Sequence, residues 1–358
     1  MALLAMLLLT LLKGVSPLER RLKLGIIGVS TTNGCGACEP PTHSLCNHSA
    51  RACIPELGWT SMLRAAGYQV EVYAKNAAGP LYLSLCLGQR LSPDLDVILI
   101  DVLTNAYHGN AEVEALVGRT RAVAPSARVA LIGWYPETKV RALHARETLG
   151  GTPIVRVWGQ IEPDGRFYAP DARPMVHPNA EGHRLIGSAA LEYLRGLRAE
   201  PPPPSLRRWE RDELCLDARD LLRRTEGGQL VDLGRGKAVT KEVVWAGHAG
   251  AVTRIEGVGG GEAHLTYVLR RRGDGAQLRI GCDCRCSSLP GSWSSRLFPF
   301  PAVPIDLSLA ADGRVRLINT TSGIFDTTAF RVHAKGCNVS VKFPHEGAIV
   351  HFANGGAK

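Results

Sequence analysis

A serine, a glycine, an asparagine and a histidine stand in this chain where apolar runs end. Ser30 lies in Gly28-Val29-Ser30-Thr31-Thr32, Gly79 closes Asn76-Ala77-Ala78-Gly79, Asn105 lies in Thr104-Asn105-Ala106, and His177 opens His177-Pro178-Asn179-Ala180-Glu181-Gly182-His183. A serine hydroxyl is a poor nucleophile at neutral pH and needs an imidazole to take its proton. Attack on an ester carbonyl then leaves negative charge on the former carbonyl oxygen, which fixed N–H donors must hold. The backbone amides of Ser30 and Gly79 and the side-chain amide of Asn105 would supply three such donors. Together these residue types point to acyl transfer through serine.

Such a site needs elements that bring distant residues to one edge. Residues 22–28, 96–103 and 127–134 are short apolar runs of the kind that form strands buried on both faces, and 68–73 and 154–158 are shorter candidates. Residues 56–66, 111–124 and 138–149 carry apolar side chains at three- and four-residue spacing, as helices do. The 180–197 segment is amphipathic, with Leu185, Ile186, Ala189, Ala190, Leu194 and Leu197 on one stripe. Alternating strands and helices predict a parallel sheet covered on both faces. In such sheets ligands bind outside the carboxyl ends of the strands, where the four points fall.

At these residues the sequence resembles the SGNH (GDSL-type) hydrolases, whose blocks are a GDS serine, a glycine, a GxND asparagine and a DxxHP histidine. The resemblance spans residues 25–190, and its most specific part is the His-Pro-Asn-x-x-Gly-His run before the amphipathic helix. It implies a three-layer α/β/α, flavodoxin-like domain. By this resemblance Ser30 is the nucleophile, Gly79 and Asn105 are oxyanion donors and His177 is the general base. The pattern departs at Val29, Leu103, Ala106 and Pro174, where the family has aspartate, glycine, aspartate and aspartate. The last matters most, because losing the carboxylate that orients the imidazole of a serine triad can cost ~10⁴ in rate. Asp171, six residues before His177, is the candidate substitute; a backbone carbonyl is the alternative. His183 reads as structural beside the helix start, and Thr31 and Thr32 as turn hydroxyls.

Pro201 to Pro204 cannot continue a helix and mark a boundary. Beyond them strand patterns take over, at 263–270, 277–282, 305–310, 314–319 and 330–334, with Asp312-Gly313 as a hairpin signal. The reading is a leader at 1–20, an SGNH-like domain at 21–200, a linker at 201–208 and a smaller antiparallel β-sandwich at 209–358. The Cys282-Asp283-Cys284-Arg285-Cys286 run and Trp293 look like the β-rich tail that follows some algal and plant-like SGNH domains; Trp293 is a buried sandwich tryptophan or a sugar platform.

The 358 residues are 45% hydrophobic and 21% charged, which suits a globular chain with two cores. The 42 Lys and Arg residues give a net charge of +9 but form no basic run, which argues against nucleic-acid binding. Residues 2–12 are apolar yet too short to span a bilayer, and read as the h-region of a signal peptide, or as an amphipathic leader or misplaced start. Ten cysteines fit disulfides in an oxidising compartment; zinc at Cys35-x-x-Cys38 is the competing reading. Sequons at Asn47, Asn319 and Asn338 agree with a secreted or cell-surface chain, the alternative being cytoplasmic.

These features predict an ester hydrolase or O-acyl transferase acting on an acylated, carbohydrate-type substrate through an acyl-serine, needing no metal or organic cofactor. The alternative is a catalytically impaired SGNH-fold protein that binds carbohydrate at a cell surface. A nucleotide-binding domain is disfavoured because the Gly28 turn lacks a glycine-rich phosphate loop.

Overall fold

The computed structural model describes residues 22–37, 53–76, 78–105, 110–134, 148–157, 167 and 177–197 of the first half. In the second half it describes residues 214–217, 225–232, 243–268, 279–284, 286–288, 306–309, 315–318, 325–333, 335–342 and 347–354. Asp171, Trp293, Cys38 and the 201–208 linker lie outside them.

Strands β1 (Lys23–Gly28), β2 (Gln69–Ala74), β3 (Val97–Asp101), β4 (Arg128–Gly133), β5 (Thr148–Leu149) and β6 (Thr152–Arg156) form one sheet in the order β2-β1-β3-β4-β6-β5. All neighbours are parallel except β5, which pairs antiparallel with β6. The strand order reverses its direction of growth at β1, which places a topological switch point between β1 and β3. Residues 138–149 were expected to be helical. Residues 138–147 lie outside the described set, and Thr148–Leu149 instead turn back through Gly150-Gly151 to form the short edge strand β5.

Successive side chains of a strand point to opposite faces, and both faces of this sheet are covered. Leu24, Ile26, Val97, Leu99, Ala130 and Ile132 pack into one cluster with Trp59 and Leu63 of α1 (Trp59–Ala65). Ile186 and Ala190 of the helix Ala180–Gly196 complete that layer. Ile27, Ile98, Ile100, Val129 and Leu131 face the opposite way, against α2 (Pro80–Ser84) and α3 (Asn110–Val123). With Ala180–Gly196 as α4, the first half is a three-layer α/β/α domain, as the residue pattern predicts.

The second half is β-rich. Strands β7 (Leu214–Asp217), β8 (Thr225–Asp232), β9 (Val243–Val258), β10 (Gly261–Val268), β11 (Arg279–Cys282), β12 (Cys286–Ser288), β15 (Phe325–Val332), β16 (Cys337–Lys342) and β17 (Gly347–Asn354) make a nine-stranded sheet. Every pairing in it is antiparallel. Strands β13 (Asp306–Leu309) and β14 (Val315–Ile318) pair antiparallel as a separate pair, with Leu309 opposite Val315, on either side of the Asp312-Gly313 pair. A cluster around Ile255, Leu265, Phe330 and Val339 forms its core, bordered by Cys282, Cys284 and Cys286.

Disulfides join Cys35 to Cys53, Cys86 to Cys215, Cys282 to Cys286 and Cys284 to Cys337. The second of these ties the segment after α2 to β7, and so links the two halves; Gln89 adds a bond from Nε2 to the Cys215 carbonyl at 3.4 Å. Asp283, Cys284 and Cys337 lie close enough to share a metal ion, but the two cysteines are already joined to each other. Among the described residues no helix is long and apolar enough to cross a membrane.

Candidate active site

β1 is flanked by β2 and β3 up to Gly28, which pairs with Ala74 and Asp101. Beyond it the chain curls into a turn in which the amides of Asn33, Gly34 and Cys35 donate to the carbonyls of Val29, Thr31 and Ser30 at 3.3, 2.9 and 3.0 Å. Val29 is buried in the α2/α3 layer, whereas Ser30 is only half-buried at the rim. The Cys35–Cys53 disulfide pins the far end of the turn. Gly36 has φ +89, and a Cβ there would lie 2.9 Å from His177 Cβ and overlap the Pro178 carbonyl. A side chain at this position would push the serine turn away from the histidine arm.

That arm is fixed from its carboxyl side. Asn179 caps α4 by accepting from the Gly182 amide at 3.0 Å, and its own amide donates to the Phe167 carbonyl at 2.8 Å. One turn in, His183 is fully buried. Its Nδ1 accepts from the Trp59 amide at 3.4 Å and its Nε2 donates to the Cys35 carbonyl at 3.1 Å. Burial holds the His183 imidazole down to about 4, so it is neutral at physiological pH and serves as a tether between α4, α1 and the serine turn. The structural reading of His183 therefore agrees with its contacts. With the arm so held, His177 Nε2 lies 2.8 Å from Ser30 Oγ, across 147 positions of sequence. When the ring proton is on Nδ1, Nε2 accepts from the serine hydroxyl.

Two amide contacts tie the remaining segments to this pair. Asn33, on the serine turn, donates from Nδ2 to Asn76 Oδ1 at 2.7 Å. Asn105, buried at the end of the 3₁₀ turn Leu103–Asn105, donates from Nδ2 to the Ala78 carbonyl at 2.8 Å. Gly79 follows Ala78 directly and precedes α2, with an extended backbone. The Asn105 amide carries two hydrogens, so one remains for another acceptor. Ser30 and His177 are thus in direct contact, and the Gly79 and Asn105 segments are braced against each other and against the serine turn.

Beneath the serine turn lies a carboxylate that sequence reasoning missed. Asp101, at the end of β3, is wholly buried on the α1/α4 side; Thr32 Oγ1 donates to its Oδ2 at 2.8 Å and Trp134 Nε1 to its Oδ1 at 2.8 Å. Burial pushes this carboxyl up to about 6, while the Trp134 and Thr32 bonds, and more weakly the nearby Trp59 indole, pull the other way. Thr32 is therefore more than a turn hydroxyl. Thr31 keeps a buried hydroxyl with no hydrogen-bond partner among the described residues. One signal was present in the sequence: Asp101 interrupts an otherwise apolar strand, and a charged residue inside such a run needs a partner.

No protein-family model and no curated protein matches the chain. Among solved structures, the crystal structure of a two-domain esterase (CEX) active on acetylated mannans aligns with 94% of this chain and 92% of that one, at a TM-score of 0.53 and 15% identity. The same esterase co-crystallised with mannopentaose aligns with 94% of this chain and 91% of that one, at a TM-score of 0.54 and 16% identity. The likeness extends across both halves of the molecule. The chain thus shares the fold of that two-domain esterase.

Proposed function

We propose that this protein is a serine-dependent ester hydrolase, or O-acyl transferase, that acts on an acylated carbohydrate through an acyl-serine intermediate. The observation that carries the reading is the 2.8 Å contact between Ser30 Oγ and His177 Nε2 at the carboxyl ends of β1 and β3. His177 takes the serine proton as Oγ attacks the ester carbonyl. The amides of Ser30 and Gly79 and the free hydrogen of the Asn105 side chain receive the oxyanion. The tetrahedral intermediate collapses, His177 returns the proton to the departing sugar oxygen, and water or a second hydroxyl then releases the acyl group by the same steps. Asp171 is the candidate group for orienting His177.

An acetylated polysaccharide is the favoured substrate class, supported by the fold shared with an esterase active on acetylated mannans. Residues 21–200 are the catalytic domain in this reading, 201–208 the linker, and 209–358 an accessory β-sandwich that contacts carbohydrate. The four disulfides among the described residues support folding in an oxidising compartment and a secreted or cell-surface protein. The test is release of acetate from acetylated mannan, and of nitrophenol from nitrophenyl acetate, by wild type and Ser30→Ala. Loss of both activities in a folded variant is expected. Equal activity in the two proteins contradicts the mechanism, and a wild type that binds the polysaccharide without cleaving it favours the binding-protein alternative.

A further inference from the structure

Ser30 stands on a turn with two unlike feet. Val29 packs into the apolar α2/α3 layer on one side of the sheet. On the other side Thr32 drops its hydroxyl onto Asp101, whose second oxygen is held by the Trp134 indole. Thr32 also reaches back over the strand end, since a Cβ on Gly28 would overlap Thr32 Oγ1. Gly28 and Asp101 are register partners on β1 and β3, so the carboxyl group rises beside the strand that launches the turn. Burying an ionisable group costs free energy unless donors meet it, and here both oxygens are met by fixed donors on separate elements. The arrangement converts the rigidity of the central strands into a fixed position for the turn. Position 29, where the resemblance leads one to look for a carboxylate, offers none.

We propose that Asp101 is the positioning residue of the serine turn: through the Thr32 hydroxyl it anchors residues 29–35 to β3 and so sets Ser30 Oγ in register with His177. Asp101 touches no reacting atom in this scheme. Its effect on catalysis rests on the reading of Ser30 as nucleophile, whereas the anchoring does not. An unanchored turn lets the hydroxyl wander, and misplacement of a reacting group by ~1 Å can cost about 100-fold in rate.

Thr32→Val keeps the shape and removes the hydroxyl, Thr32→Ser keeps the hydroxyl, and Asp101→Asn keeps one acceptor. All three are compared with wild type in the full chain, with folding checked by circular dichroism and melting. Amide hydrogen exchange of the peptide covering 29–37 reads the anchor without needing activity, because the Gly34 and Cys35 amides close the turn. Turnover of nitrophenyl acetate per active serine, titrated with a fluorophosphonate, reads its consequence. The expected result for folded Thr32→Val is exchange about tenfold faster or more. Its kcat falls about 10- to 100-fold with KM changed less than about twofold. Thr32→Ser restores both readouts, and Asp101→Asn added to Thr32→Val costs nothing further because the link is already cut. Unchanged exchange in Thr32→Val overturns the proposal whatever the kinetics, and faster exchange with unchanged kcat overturns it too. Faster exchange in a protein whose wild type shows no Ser30-dependent hydrolysis leaves the anchor standing and removes the esterase reading alone.

Discussion

The two halves of this molecule hold themselves together by different means. In the α/β half, the central strands send alternate side chains into two apolar layers, and several buried polar groups around the site are met by fixed partners: Asp101 by Thr32 and Trp134, Asn105 by Ala78, His183 by Trp59 and Cys35. In the β-rich half the described core is edged by cysteines, and two disulfides, Cys282–Cys286 and Cys284–Cys337, stitch β11, β12 and β16 together beside it. Chemistry needs atoms held to a fraction of an ångström, which a matched hydrogen-bond network supplies. Covalent staples add to that network at the serine turn, through Cys35–Cys53, and hold the described edge of the β-rich half through Cys282–Cys286 and Cys284–Cys337.

Removing His177 has the greatest consequence for the α/β half. His177→Ala should lower ester turnover by about 10⁴-fold or more while the melting temperature stays near wild type, because the ring is half-buried and its loss removes a base. Both readouts come from one purified sample. The next largest effect belongs to the other half. Replacing Cys284 and Cys337 by serine opens a link of 53 positions and should destabilise the β-rich half by about 2–5 kcal/mol, seen as an earlier unfolding step in calorimetry. Turnover of a small soluble ester should be unaffected; a parallel loss of activity would show that the halves are not separable in this way.

Asn105→Ala tests the network itself. It should cost about 10²–10³ in kcat, the scale of a missing oxyanion donor. Since Asn105 also holds the Ala78 carbonyl, part of that loss should appear as faster hydrogen exchange at residues 78–85, which separates bracing from donation.

The smallest effect concerns pH. Glu112, in the first turn of α3, is 2% exposed with no hydrogen-bond partner for either oxygen among the described residues, and burial pushes its carboxyl up to about 7. Asp101 is raised to about 6 for the same reason. In both cases the folded chain keeps a proton that the unfolded chain releases near pH 4. Their contribution to stability is therefore complete below pH 4 and is lost as pH rises through 6 to 7. Glu112→Gln should flatten this fall, by about 3 kcal/mol at most between pH 5 and 8, measured by denaturant unfolding at both pH values. An equal slope in both proteins would contradict the burial argument.

The legibility of the sequence follows the same division. β1, β3 and β4 were readable because a strand buried on both faces needs an unbroken apolar run, which Ile26-Ile27 and Val97-Ile98-Leu99-Ile100 supply. The α4 boundary was readable from Asn179 and the stripe behind it. β9 was missed because glycine and alanine dilute the pattern in Trp245-Ala246-Gly247-His248-Ala249-Gly250-Ala251, although the strand runs for 16 residues. β5 was missed because apolar spacing earlier in 138–149 fits a helix, while the deciding signal was the Gly150-Gly151 pair, whose φ values of 54 and 75 suit a two-residue hairpin turn. At the site, Ser30, Gly79, Asn105 and His177 could be singled out from the sequence by their types and strand-end positions. Thr32, Asn33 and Asn76 could not, because their contacts reach across 43 to 69 positions, and for Asp101 the local pattern marks a charge that needs a partner without naming which one.

The central claim is that Ser30 is an activated nucleophile. Treatment of the intact protein with a fluorophosphonate, followed by peptide mass spectrometry, tests it without knowledge of the natural substrate. A covalent adduct on the peptide that contains Ser30, absent from His177→Ala, is the predicted result. Folded wild-type protein that takes up no label, or takes it up at another residue, would contradict the account.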